Sequence, residues 1–523
     1  MTLAGAIAGF FAALVVFWLI GRLTDDSWFA MAASLVVFCC GALAAGEGAI
    51  GEILFDGFSY PYFPGFRRYI PAMGFPAFFA MCGFVWMMLR GSDQPSAVSG
   101  QQSEESRREA EDIAHEINKT SPESRILDPK LVYGALATAC FAFTVYSYFY
   151  IWTTAAAWLG CLVLVWLVGR PESVRSDLKA LACLGAAWAA VLLPYAYLLS
   201  NRSHTMDDVQ LLVHTRMPDL LRVPEYISFA VLVLLIIGLA TKVIEIKDRS
   251  TLFALSLSLV PIAVFNQQII TGRALQPIHY QVFIGNYVAL LALMVTVGIL
   301  WKRRLNADTL MPKAACVVIA VLAIFWGFVE CHFTVRVLDD ANIERDRALP
   351  VAKRLEELAK DDSDPNRTTV LAFDMIQADD LPTVAPQNVL WARHQHVFAG
   401  LSWQESKERY YQYLYYSDVD PKGLDYLLKN DFVSMIALFG WGRHTDRLSS
   451  EAKPLTYGEI AEEVRAYREY TEYFSAKEAA NPKISYVVIH NMSEARLANL
   501  DKWYERDNGE VIGDYLLYKI KPR

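Results

Sequence analysis

The segment 266–280 gathers more residues able to do chemistry than any other stretch of the chain: Asn266, Gln267 and Gln268, then Thr271, Gly272, Arg273, Gln276, Pro277, His279 and Tyr280. The three amides end an apolar run, where they are costly unless they find partners or line a wet cavity. Gly272 and Pro277 break the helix, so Arg273, Gln276 and His279 are expected to project from a short non-helical turn at a membrane surface. A guanidinium there grips a phosphate bidentately, and a nearby imidazole donates a hydrogen bond or shuttles a proton. The plainer alternative is an interhelical polar clamp with a snorkelling arginine.

Two other segments carry weaker signals. His204, Asp207, Asp208, His214 and Arg216 share one loop, and paired carboxylates bind a divalent cation or act as a base; a solvated Asp-Asp loop is the ordinary reading. Asp56 stands beside Gly57 among aromatics, with Arg67 and Arg68 following; a carboxylate and aromatic faces suit a sugar, and an interfacial stretch needs no ligand. Asp25 and Asp26 read as a helix N-cap before Trp28. His394 and His396, two residues apart without nearby partners, read as structural before they read as metal ligands.

These residues are held by long apolar runs. Of 523 residues, 54% are apolar and 20% charged, too little charge for a wholly soluble enzyme. Runs near the ~20 residues that cross a bilayer fall at 3–21, 27–46, 70–89, 131–150, 153–169, 178–199, 227–245, 251–270, 284–301 and 313–333, giving ten expected spans. The fourth and fifth are separated at the aromatic stretch 146–153 by an interfacial turn, with one long helix as the alternative. Lysine and arginine crowd the connections after spans one, three, five, seven and nine, which are therefore expected in the cytoplasm. The opposite loops, and the chain after span ten, are then extracytoplasmic, as is Met1. The polar stretch 91–130 is a cytoplasmic linker with an amphipathic helix near Glu104–Ile117. All eight cysteines lie in or beside apolar runs and read as packing residues.

Residues 1–333 form the expected transmembrane domain and 334–523 the soluble extracytoplasmic one. The latter holds 25 Lys/Arg and 32 Asp/Glu, a balance of −7 that leaves −1 for the rest and argues against nucleic acid as a partner. Strands are expected at Thr369–Phe373, Tyr486–His490 and Val511–Ile520, and helices at Asp340–Lys360, Trp403–Tyr416, Pro421–Asn430, Tyr457–Phe474 and Ser493–Tyr504, an open α/β layer. It has no Walker motif, dinucleotide turn or nucleophile elbow.

The fold class is thus an α-helical polytopic membrane protein of about ten spans with a C-terminal extracytoplasmic α/β domain. That architecture, with the runs 266–280 and 146–153, resembles bacterial membrane proteins of the GT-C superfamily of glycosyltransferases. The resemblance implies an enzyme of the bacterial inner membrane that moves a sugar from a polyprenyl-phosphate carrier to an extracytoplasmic acceptor, with a divalent metal an open question. It assigns His279 and a carboxylate, Asp56, Asp207 or Asp208, to catalysis. Gln267, Gln268, Arg273, Gln276, His214, Arg216, Arg67 and Arg68 fall to substrate binding. The superfamily's catalytic carboxylate normally sits in a large loop after the first span. This chain has no such loop, so a missing N-terminal span is expected, leaving the enzyme incomplete or inactive. A transporter or lipid flippase is the competing class, for which Glu330 near the end of span ten is the one deep charge. A non-catalytic protein whose external domain binds a partner is the third.

Overall fold

The computed structural model describes residues 2–46, 48–55, 69–90, 128–202, 214–304, 310–361, 364, 368–395, 400–440, 443, 448, 454–492 and 497–523. The chain is an α-helical polytopic membrane protein with a small sheet near its C-terminal end. Among the described residues, eight helices are long and apolar enough to cross a membrane: Leu3–Thr24, Ala72–Arg90, Pro129–Ser147, Phe149–Gly169, Val174–Ser200, Val223–Ala240, Pro277–Arg304 and Lys313–Asp346. The other two expected spans are shorter apolar helices, Ser27–Cys39 and Arg249–Phe265. Each stops for a local reason. The first gives way at Cys40 to the single turn Gly41–Ala44, and the second meets Asn266, whose side chain turns back to the Ile262 carbonyl. The expected break within the aromatic stretch falls on Tyr148 alone, extended at φ −156° between two helices.

The residues divide into two compact units, the first Met1–Tyr197, Leu220–Asn266 and Ile278–Thr334, the second Leu198–Asp219, Gln267–Pro277 and Val335–Arg523. The second unit thus takes in two excursions from the apolar half of the chain, besides the stretch that composition marks as soluble.

In the first unit, the helix ends that precede basic connections gather at one pole. Asp25 takes Arg90 at 3.3 Å and Lys302 at 3.1 Å, Arg303 meets Asp248, and Arg249 reaches Asp177 at 3.0 Å. Asp26 caps its helix as expected, accepting from the amides of Trp28 and Phe29. The pole is latched by these ion pairs. Between the poles the packing is apolar and aromatic; Trp158 and Trp166 are fully buried, and the Phe141 and Trp188 rings stack at 4.0 Å.

The second unit contains a six-stranded mixed sheet. Its strands are β1 Thr369–Ala372, β2 Asn388–Val389, β3 Ile484–His490, β4 Tyr504–Arg506, β5 Glu510–Ile512 and β6 Tyr515–Pro522, in the order β2-β1-β3-β6-β4 with β5 also on β6. β2, β1 and β3 run parallel, and β6 is antiparallel to its neighbours. Alternate side chains leave opposite faces of a strand, and here both faces are covered. Val370, Ala372 and Val488 pack with Val351 and Leu355 of the helix Leu349–Ala359, while Leu371, Val487 and Ile489 pack with Tyr415, Tyr416 and Phe474. That is why β1 is a continuous apolar run. The strand expected at 511–520 is a hairpin instead, because Gly513 takes φ 58° between β5 and β6. The helix expected from 493 to 504 is confined, among described residues, to the turn Ala498–Asp501, after which Tyr504 joins the sheet. A third, helical core built on Tyr410, Leu424, Leu428, Ile460 and Tyr467 completes the unit.

Candidate functional site

In the second unit, residues 214–217 pair with residues 267–273. His214 and Arg273 form an antiparallel bridge, and the Thr215 amide donates to the Gly272 carbonyl at 3.1 Å. Gly272 makes this approach possible: it caps the turn Gln268–Thr271 in the left-handed region at φ 75°, which an L side chain resists. The two glutamines brace the turn. Gln267 Nε2 donates to the Arg273 carbonyl at 2.8 Å and its Oε1 accepts from Thr271 at 2.7 Å, while the buried Gln268 donates to the Met217 carbonyl at 3.0 Å. Arg216 lies over Gly272 and spends Nη1 on the carbonyls of Ile269 and Ile270, at 2.7 and 3.0 Å. Arg273 is exposed, and its guanidinium makes no hydrogen bond or ion pair among the described residues. Two cations are thereby brought onto one small main-chain pairing, one anchored and one open to an anion. Gln276 occupies the left-handed region at φ 46°, extending the irregular stretch up to Pro277.

His279 is placed differently from the expectation. It sits on the helical turn Pro277–Tyr280, which starts at proline because that residue needs no N–H partner there, not on the non-helical turn. In the first unit its Nδ1 stands 3.4 Å from the Tyr148 hydroxyl, and its ring lies 4.8 Å from that of Tyr150 and 5.5 Å from Phe283. Tyr280 bonds Thr153 at 3.0 Å. The aromatic break at Tyr148 and the histidine are thus one cluster, an arrangement that sequence spacing does not disclose.

The same unit holds a polar relay that sequence reasoning missed. The fully buried Glu225 accepts from Asn266 Nδ2 at 2.9 Å and from the Arg222 amide at 3.1 Å. Arg222 Nη1 then reaches Gln281 Oε1 at 3.2 Å, and Gln281 Nε2 donates to the Ala45 carbonyl at 3.1 Å. Gln281 opens a π turn, Gln281–Gly285, a deviation common at functional positions. Asn286 follows, donating to the Gly41 carbonyl at 2.7 Å. Glu330 completes this pole: its Oε2 accepts from the Ala49 amide at 3.1 Å, and the Trp326 indole faces the same carboxylate. One signal was available for Glu225, an acid opening an apolar span after Arg222 and Pro224.

Asp56, Arg67, Arg68, His204, Asp207, Asp208 and His396 lie outside the described residues. His394 instead donates or accepts through Nδ1 at 2.8 Å from Asp379, which Arg393 Nε also meets at 2.5 Å. Burial pushes the Asp379 carboxyl up, but the hydrogen bonds and charges of His394 and Arg393 outweigh it and hold it below the usual carboxylate range. Its neighbour Asp380 is raised, chiefly by burial, with Arg345 opposing. Among the described residues no group of three or more His, Cys, Asp or Glu side chains is placed to hold a metal ion.

No protein-family model matches the chain, and no curated protein sequence matches it. Among solved structures, ArnT from Cupriavidus metallidurans in the apo state is similar at 14% identity and a TM-score of 0.41, over 74% of this chain and 70% of that one.

Proposed function

We propose that the chain is a membrane glycosyltransferase of GT-C type that takes a sugar from a polyprenyl-phosphate donor. The observation that carries this reading is the pairing of 214–215 with 272–273, which sets Arg216 and the open guanidinium of Arg273 together in a stretch flanked by apolar helices. Arg273 takes the carrier's phosphate, with Arg216 adding positive potential, since a guanidinium matches phosphate geometry. Gln267 and Gln268 hold the main chain on which those cations stand. His279, in the first unit and beside Tyr148, is kept as a proton donor or acceptor. A carboxylate, Asp56, Asp207 or Asp208, acts as base for the acceptor hydroxyl.

Transfer from a polyprenyl-phosphate sugar, followed in proteoliposomes, tests this. Arg273→Ala should cut transfer by about 10²-fold or more, the scale of losing one charge-stabilising donor; unchanged transfer would remove the phosphate role.

One observation favours a second reading, transport. Glu330 is 2% exposed in a long apolar helix, and acids at such positions mark ion or substrate paths. Under that reading Glu330→Gln abolishes substrate flux into sealed vesicles; under the first it leaves transfer intact.

A further inference from the structure

The two excursions that join the second unit leave large apolar side chains in the open. On the pairing of 214–217 with 267–273, Ile270 is 84% exposed, Met217 51% and Ile269 42%. Gln268 ties Met217 to the turn through its carbonyl, so the three side chains belong to one small element. Hydrocarbon left facing water is unfavourable until something apolar covers it.

Chain connectivity says what the cover is. The turn Gln268–Thr271 follows closely on the apolar helix Arg249–Phe265, and the membrane-crossing helix Pro277–Arg304 begins soon after it. The stretch 214–217 leads likewise into the crossing helix Val223–Ala240. Exposed apolar side chains continue along the sequence into those helices, at Leu220, Leu221 and Ile278. One wound turn rises only about 5.4 Å, which keeps Ile269 and Ile270 near the level at which the neighbouring helices enter the bilayer.

The main chain of the turn carries a second, independent sign. A peptide carbonyl in lipid must find its hydrogen bond within the protein, whereas one at an aqueous surface takes it from water. Arg216 Nη1 donates to the carbonyls of Ile269 and Ile270, at 2.7 and 3.0 Å. The Gln267 carbonyl accepts from the amides of Ile270 and Thr271, and the Gln268 carbonyl from that of Gly272 at 2.8 Å. Thr271 spends its hydroxyl on Gln267 and the Arg273 carbonyl. Every carbonyl from 267 to 270 is thus satisfied internally, beneath side chains that suit hydrocarbon. A turn in water needs no arginine laid across its apex.

We infer that this turn is immersed in the interfacial layer of the phospholipid leaflet. Ile269 and Ile270 stand among the acyl chains with Met217 beside them, Arg216 seals the carbonyls, and Arg273 is level with the headgroup phosphates. Apolar tips with cations beside them suit that layer, to a depth of about 5–10 Å. The inference does not rest on the transfer reading, since it concerns the layer in which the turn lies and not what is transferred there.

A fluorescent coumarin amino acid at position 270 of the full chain tests it, in vesicles of phosphatidylcholine and phosphatidylglycerol. Two quenchers are compared, bromine on the phosphatidylcholine acyl chains and iodide in the water. At position 270 emission should be lost to the brominated lipid and kept in iodide. The fluorophore in place of Glu462, which is 75% exposed on the helix Tyr457–Glu472, should show the reverse. Position 217 supplies the same reading where the variant at 270 fails to fold. Arg216→Ala uncovers two carbonyls, so it should reduce quenching by lipid at 270 and admit iodide. Iodide quenching at 270 equal to that at 462, shielding from both quenchers by a protein cover, or a lipid reading indifferent to Arg216→Ala would each overturn the proposal. None of these readouts needs sugar transfer, so a failure here is distinct from a failure of the enzyme reading.

Discussion

Asp177 and Glu330 are equally buried, each 2% exposed, at opposite poles of the helical unit, yet their surroundings differ. Asp177 is met on both oxygens: Arg249 Nη2 stands 3.2 and 3.0 Å from them, and the Trp166 indole donates at 3.2 Å. Glu330 meets neutral donors, the Ala49 amide and the Trp326 indole, and no cation among the described residues. The contrast separates two uses of a buried acid. One paired with a cation locks helices together through charge, and one met by neutral donors alone carries no such ionic lock.

The largest effect should come from breaking the locked pole. Arg249→Ala strands the Asp177 charge and should cost about 3–5 kcal/mol, seen as early loss of the folded monomer on heating in detergent. If heat stability is unchanged, Asp177 is not the latch described.

Asp379 extends the comparison to a partnered acid outside the helical bundle. Its folded carboxyl lies below its unfolded value of about 3.9, so its contribution is fully present above that pH and fades as pH falls through the lower, folded value. Asp379→Asn should therefore destabilise the second unit by about 1.5–3 kcal/mol at pH 7. The gap between variant and parent should close in acid below about pH 4. Urea unfolding followed at several pH values checks both halves, and a gap that persists at low pH would deny the ion-pair origin.

At the Glu330 pole the backbone is the weak point. Gly48 has φ 76°, and a Cβ there would stand 2.6 Å from Glu330 Oε2. Gly48→Ala should thus cost about 1–3 kcal/mol. Glu330→Gln should cost the least, under about 1 kcal/mol, because the amide oxygen still accepts from Ala49. A stability loss as large as that of Arg249→Ala would make Glu330 a lock like Asp177 and erase the distinction.

Features set by neighbouring residues were legible in the sequence. The cap at Asp26 and the break at Gly272 follow from local stereochemistry, and the apolar runs from composition, whereas Pro277, expected to break the helix, starts one. The separate chemistry of Arg273 and His279 was not legible, although only six positions divide them. What places Arg273 is a bridge to His214, and what places His279 is Tyr148, both far away in the chain. Glu225 escaped for the same reason, since its partner Asn266 lies on another helix. β2, two residues long and partly exposed, has no pattern to read.

The contact between Thr215 and Gly272 is made by main-chain atoms alone. Such a frame is indifferent to what its flanking side chains are, so positions 214 and 273 are free to vary while the loops keep their shape. A library randomised at those two positions should therefore yield mostly folded members.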